Sequence, residues 1–195
     1  MESQPSRPIF IVGHKTILRP IELSDVPQLL VWANDPEIRQ FIARYRPVSE
    51  KYEKEWVEKS ATDETKIVFM IEEKTSRKAI GVMGLHRINW KDRSCTTGAY
   101  IGQKDLWGKG YGTDAKMFLL DYAFNTLNLR RIESAAYEYN KRSIHYSLHC
   151  GYKIEGRKRK AKFSNGRYWD DVLLALFKKE WLPIWKRYKK TGKIK

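Results

Sequence analysis

The stretch Ile101-Gly-Gln-Lys-Asp-Leu-Trp-Gly-Lys-Gly-Tyr-Gly-Thr113 decides the fold. It sets Gly108, Gly110 and Gly112 between the apolar run Ala99-Tyr100-Ile101 and a helical pattern from Ala115 to Leu127. Glycines alternating ahead of a helix leave backbone N–H groups bare, and the helix dipole adds partial positive charge there. This is the physics of a diphosphate cradle. Lys104 and Lys109 bring full charges beside it. A P-loop requires the lysine after the last glycine and a Ser or Thr behind it; here Lys109 lies between glycines with no Ser or Thr after it. A dinucleotide fingerprint requires Gly-x-Gly-x-x-Gly and an acidic residue closing the next strand. The spacing here is Gly-x-Gly-x-Gly, and Glu133 falls within the next strand rather than at its end. A glycine-rich turn without a ligand is the bland alternative.

Composition sets the outer limits. A chain of 195 residues suits one domain with a single core, taken here as about 14–181 followed by a basic tail over 182–195. No apolar run reaches the roughly 18 residues of a membrane span. Met1 to Arg7 is polar and has no apolar segment, so it does not read as a signal peptide. Cys95 and Cys150 are too few for a disulfide framework and sit in apolar or helical contexts. A cytoplasmic enzyme is the simplest fit. No His, Cys and carboxylate spacing suggests a metal site. The net charge of +15 is concentrated in Arg157-Lys-Arg-Lys160 with Lys162, and in the tail from Lys186 to Lys195. Such a field favours anionic ligands, phosphorylated cofactors and RNA among them; a solvated basic surface with a frayed tail is the plain reading. Trp181 and Trp185, one helical turn apart, point to packing of that tail on the domain.

The pattern along the chain predicts a strand over Thr16–Arg19 and a helix capped by Ser24 or Asp25 running to about Ala33. A second helix is expected from Glu37 to Ala43 and a third from Ser49 to about Ser60. Strands at 67–72, 79–90 and 95–101 read as a meander. A helix over 113–126 carries Ala115, Phe118, Leu119, Tyr122 and Ala123 as an apolar stripe. Strand 131–138, helix 141–150 and strands 152–163 and 168–177 follow, the last two joined at Ser164-Asn-Gly166, a hairpin signal. This order gives an α+β or mixed α/β sandwich.

Four motifs carry a resemblance. They are Trp107-Gly-Lys-Gly110-Tyr-Gly112; Asn140 with Ser143 and Gly151-Tyr152; Leu18-Arg-Pro20 with Asp25, Leu29 and Trp32-Ala-Asn-Asp-Pro-Glu37; and Asn165-Gly-Arg-Tyr168-Trp-Asp170. The chain resembles the GCN5-related N-acetyltransferases (GNAT), in particular the RimJ/RimL-like branch. The resemblance implies a largely antiparallel central sheet flanked by helices, with two strands splayed at the cofactor site. It implies acetyl-CoA as donor and direct attack by a primary amine on the thioester.

The same resemblance assigns the site residues. Backbone groups of Tyr100, Ile101 and Gly102 would pair with the pantetheine arm, and an N–H near Tyr100 could serve as the oxyanion donor. Tyr100 and Ile101 are equally well read as strand core. Trp107, Gly108, Lys109, Gly110, Tyr111, Gly112 and Thr113 would hold the phosphates. Asn140 would pin the pantetheine amide, or simply cap a helix. Ser143 and Ser147 lie one turn apart on one helix face, with Ser143 the candidate donor to the CoA sulfur. Many relatives place a tyrosine acid where Ser147 stands. Tyr146 is one residue early, which on a helix is a rotation of about 100°. Glu133 is a candidate base or a partner for Arg130 or Arg131; Asp170 and Asp171 remain as further carboxylates. His86 could act as a base, and His145 and His149 read as surface or packing residues.

Trp32, Asn34, Phe41 and Tyr45, with Trp90 and Tyr168, are the expected acceptor walls. The expected partners are a small amine or a protein N-terminus, with ribosome association and a homodimer as options. Two other readings compete. The missing tyrosine and strand glutamate suit a non-catalytic acyl-CoA sensor, and the basic charge suits an RNA- or ribosome-associated protein.

Overall fold

The computed structural model describes residues 7–42 and 44–194. One sheet of eight strands runs through it in the order β1-β2-β3-β4-β5-β6-β8-β7. A two-residue strand β1 (Ile11–Val12) edges β2 (Thr16–Pro20). The expected meander follows as β3 (Ile67–Glu73), β4 (Ala79–Asn89) and β5 (Ser94–Ile101), each antiparallel to the one before. β6 (Arg131–Tyr137) lies beside β5, and β8 (Arg167–Phe177) separates it from the edge strand β7 (Lys153–Ser164). Asn165 and Gly166, both with positive φ, turn β7 into β8, as the Asn-Gly signal requires.

Strand periodicity divides the core in two. Val68 and Met70 of β3, with Val82 of β4, face α1 (Val26–Asn34), α2 (Pro36–Arg39) and α3 (Glu50–Thr62). Phe69, Ile71, Met83 and Leu85 face the opposite way. They pack against α4 (Tyr111–Asp121), the segment Lys141–His149 (α5) and α6 (Lys178–Thr191). Helix α2 is shorter than the Glu37–Ala43 helix expected from sequence, and Ala43 itself lies outside the described residues. Asp25, expected as a cap for α1, makes no cap bond. Its carboxylate instead accepts two hydrogen bonds from the buried Arg19 guanidinium, which also donates to Glu72. That network explains the Leu18-Arg-Pro20 … Asp25 motif as architecture.

The single long helix expected over 113–126 begins earlier, at Tyr111, and loosens into a π-helical turn over Tyr122–Thr126. The segment expected as a frayed basic tail is α6, with Trp181, Trp185 and Tyr188 buried. Their i, i+4 spacing turns one stripe onto the core while the lysines stay outside.

Asp114 fixes the start of α4. Fully buried, it accepts hydrogen bonds from the amides of His14, Lys15 and Thr16, the Thr16 hydroxyl and the Tyr188 hydroxyl. One carboxylate thereby ties the β1–β2 turn and α6 to the helix that the glycines precede. Asp114→Ala leaves several buried donors without an acceptor and is expected to lower stability by roughly 3–5 kcal/mol. Urea unfolding monitored by circular dichroism measures this directly; a loss below about 1 kcal/mol contradicts the anchoring role.

Candidate active site

β5 and β6 are parallel and pair at only three positions, Ser94 with Arg131, Cys95 with Ile132 and Thr96 with Glu133. Beyond Thr96 they part. β4 holds β5 out to Ile101, and β8 holds β6 out to Tyr137. The two strands form a fork, and a cavity of about 960 Å³ fills it. At its stem the Thr97 hydroxyl donates to the Glu133 carbonyl, 3.2 Å away, and lies 2.9 Å from the Tyr152 hydroxyl.

At the open end lies the glycine loop. Gly108 and Gly110 have φ of +77° and +87°, a region L side chains rarely adopt, and Gly110 is the N-cap of α4. Among the described residues the amides of Gly110, Tyr111, Gly112 and Thr113 donate to no protein group. Gly108, Gly110, Tyr111, Gly112 and Thr113 all line the cavity, as do Trp107, Tyr100 and Ile101. Lys109 faces a smaller pocket alongside, with His14, Lys15 and Lys74. Gly102 lies outside the lining. Its amide donates to the Ile80 carbonyl, and a Cβ there would come within 2.1 Å of the Trp32 ring. Glycine stands at 102 to admit Trp32.

Asn140 caps α5, its side-chain oxygen accepting from the Ser143 amide at 3.1 Å. Both residues line the cavity. Ser147 does not; it is buried, and its hydroxyl has no hydrogen-bond partner among the described residues. Tyr146 lines the cavity, its hydroxyl also buried and without a hydrogen-bond partner among the described residues. Burial pushes that phenol well above its ordinary range. His145 and His149, expected as surface or packing residues, line the outer wall with their rings stacked.

Two further cavity residues stand near the stem. Lys116, on α4, is buried against the rings of Tyr146 and Tyr152, 5.4 Å from each centroid, and makes no ion pair with a described carboxylate. Burial lowers its ammonium pKa to about 8. The signal was present in the sequence: position 116 falls on the inward face of α4 with Ala115, Leu119 and Leu120. His86, opposite Thr96 in the register, lies against Gly98, where a Cβ would approach its Nε2 to 3.3 Å. Burial, then the charges of Lys66, Lys116 and Arg87, depress the His86 pKa below 6.5.

The other expected roles distribute differently. Glu133 does not line the cavity; its carboxylate accepts from Arg131 Nε at 2.8 Å, the ion-pair option. Asp171 is the one carboxylate in the lining among the described residues, with Lys162 at 3.6 Å. None of Trp32, Asn34, Tyr45, Trp90 and Tyr168 lines it. Trp32 is core, and Asn34 bridges Leu30 and Val48. Tyr45 and Tyr168 are exposed, and exposed Trp90 donates to the Glu64 carbonyl. Outside β5, the glycine loop, α4 and α5, the aromatic lining among the described residues is Phe41, Tyr52, Trp56 and Tyr137.

The model of the acetyltransferase (GNAT) domain matches residues 15–153. The chain belongs to the GNAT acetyltransferase family. It is 29% identical over 167 residues to the uncharacterized N-acetyltransferase p20 of Bacillus licheniformis, covering 84% of this chain and 93% of that one. The spermidine N(1)-acetyltransferase of Escherichia coli K12 is 25% identical over 175 residues, 87% of this chain and 90% of the relative. Among solved structures, the Vibrio cholerae spermidine N-acetyltransferase in complex with CoA and spermine superposes with a TM-score of 0.79 at 26% identity, over 86% of this chain and 98% of that one. The sheet order, the fork and the flanking helices are those of a GNAT fold.

This GNAT enzyme uses acetyl-CoA, and the residues present fit it. Bare amides at the start of α4 suit a pyrophosphate. The β6-facing edge of β5 from Thr97 to Ile101 has no strand opposite it, so an extended amide-bearing arm can lie there. Gly110→Val places a branched side chain at φ +87° and disturbs the amides after it. Calorimetry is expected to show at least a tenfold loss of acetyl-CoA affinity with circular dichroism unchanged; unaltered affinity would move the phosphates off this loop.

Proposed function

We propose that this protein acetylates a primary amine through a fork-centred site in which His86 takes the amine proton and Lys116, with Tyr146, supplies one to the leaving sulfur. The observation that carries this reading is the parting of β5 from β6 after Thr96, with these three side chains lining the cavity around its stem. The sequence motifs of the RimJ/RimL-like branch agree with a single amine acceptor, whether a small molecule or a peptide N-terminus.

Bound acetyl-CoA supplies a thioester whose carbonyl carbon is the electrophile. His86, with its lowered pKa, is neutral at neutral pH and accepts the proton that frees the amine lone pair. Asn140 and Ser143, one capping the other's amide, present the N-terminal turn of α5 to the arm. As the carbon–sulfur bond breaks, the electron pair leaves on sulfur. Lys116, charged at neutral pH, stabilises and protonates it, while the Tyr146 hydroxyl donates a hydrogen bond at the same end. The freed amine forms the carbon–nitrogen bond, and the second proton it sheds restores Lys116, so the reaction releases amide, thiol and the proton taken by His86.

Lys116 faces Tyr146 of α5, Tyr152 and Cys150 just beyond it, Cys95 of β5 and His86 of β4. None of these is anionic at neutral pH; burial raises both thiols to about 12. Among the described residues the cation is therefore uncompensated. Its pKa falls from 10.5 to about 8 on folding, which costs roughly 3 kcal/mol at pH 7. Between about pH 8 and 10.5 the unfolded chain holds a proton that the folded chain has released, so the penalty fades as pH rises through that window.

Lys116→Met is expected to raise the melting temperature at pH 7 by several degrees and to lower kcat about a hundredfold. The wild-type rate should rise with pH through a value below 6.5, where His86 loses its proton, and fall above about 8, where Lys116 does. Lys116→Arg should carry the falling limb to higher pH. A Met variant with wild-type kcat, or an unmoved falling limb in the Arg variant, removes Lys116 from the chemistry.

A further inference from the structure

The acceptor half of the cavity carries the wrong charge for a polyamine. Its lining includes Arg44, Arg142 and Lys162, and Lys116 stands deeper in. Asp171 is the one carboxylate in that lining among the described residues. The Arg44 guanidinium is joined to the buried Glu53 at 2.7 Å behind the wall, and lies over the rings of Tyr52 and Trp56. Lys162 stands 3.6 Å from Asp171 and 5.8 Å from the Tyr137 ring centroid. Arg142 pairs with no described carboxylate. Its guanidinium carbon stands 4.1 Å from the Trp107 ring centroid and 5.4 Å from that of Phe41, and the residue is exposed.

The phosphates of the donor do not account for this arrangement. They belong at the bare amides of Gly110 to Thr113, where Lys15 and Lys109 already stand, Lys15 donating to the Lys109 carbonyl. Arg44 precedes α3 and Lys162 is on β7, elements that take no part in the glycine loop. With Arg44 engaged by Glu53 and Asp171 by Lys162, the unpaired lining charges among the described residues are those of Arg142 and Lys116, and a multiply charged polyamine entering there meets repulsion.

On the reading that the fork holds acetyl-CoA, we infer that the acceptor is a primary amine whose own molecule carries a carboxylate or phosphate, received by Arg142 and Lys162. Asp171 holds the ammonium end, and the aromatic wall packs the body of the molecule. A fork-bearing guanidinium suits either anion, since both present paired oxygens.

Matched pairs separate charge from shape. Glucosamine 6-phosphate against glucosamine tests phosphate, and phenylalanine against phenylalanine amide tests carboxylate; spermidine is the third arm. Each is titrated calorimetrically into enzyme saturated with CoA, and initial rates with acetyl-CoA are read in parallel. The anionic member of at least one pair is expected to bind at least tenfold more tightly than its neutral partner, and spermidine more weakly than either. The pair that discriminates identifies the anion. Arg142→Met and Lys162→Met should each shrink the discrimination while leaving the affinity for acetyl-CoA unchanged. Equal binding within both pairs, tightest binding of spermidine, or an Arg142→Met variant that loses acetyl-CoA affinity while retaining discrimination would overturn the inference. Failure of wild-type enzyme to bind acetyl-CoA at all would instead strike the reading beneath it.

Discussion

The three-residue pairing of β5 with β6 is the constraint from which the rest of this structure follows. A parallel pair needs a long crossover, here the glycine loop and α4, and that crossover delivers a helix N-terminus to the open end of the fork. Each prong is secured on its outer side by an antiparallel neighbour, so neither strand can close on the other without abandoning a longer ladder. Thr97 fastens the stem by reaching the Glu133 carbonyl and the Tyr152 hydroxyl. The inner backbone edges left over are groups that folding ordinarily satisfies. A ligand with amides of its own is the natural complement.

Holding a helix start in place is the second requirement, and it is met from outside the site. Asp114, in the first turn of α4, binds the turn before β2 and the Tyr188 hydroxyl of α6. The cradle is thus positioned by elements at both ends of the described chain. This gives α6 a structural role that its lysine-rich sequence conceals: the stripe of Trp181, Trp185 and Tyr188 is buried, and Gly192, with φ +67°, ends the helix against the His14 ring.

What could be read from sequence was whatever depends on local geometry. The glycine loop, the Asn140 cap, the Asn-Gly hairpin and the strand alternation are short-range facts, and all of them stand in the structure. The acceptor wall was not legible, because an aromatic residue lines a cavity or fills a core according to packing between distant elements. Trp32 and Phe41 sit nine residues apart on the same side of the chain, yet Gly102 receives the first and the cavity the second. Tyr146 and Ser147 differ in reach as well as in helix phase: the long tyrosine side chain lines the cavity, whereas the short serine one residue on is buried away from it. Lys116 falls on an inward helix face that the sequence does show, but a long charged side chain there normally snorkels outward, and this one is buried instead.

The distribution of positive charge separates into two uses. On β7, the run Arg157-Lys-Arg-Lys160 lies on an exposed edge strand, where the register with β8 is broken between Lys158 and Lys162 and Lys160 adopts φ +50°. Charge and irregularity together discourage another strand from adding to that edge, so the basic run has a reason to exist without nucleic acid. Inside the fork the same kind of side chain has the opposite effect on stability. Lys116 has no counterion among the described residues and is kept at a cost, which is the pattern expected where a group is retained for what it does to a bound molecule rather than for what it adds to the fold. A basic edge and a basic cavity look alike in a composition; they differ in that one meets water and the other awaits a negative partner, the thiolate at the stem and the acceptor's anion at the mouth.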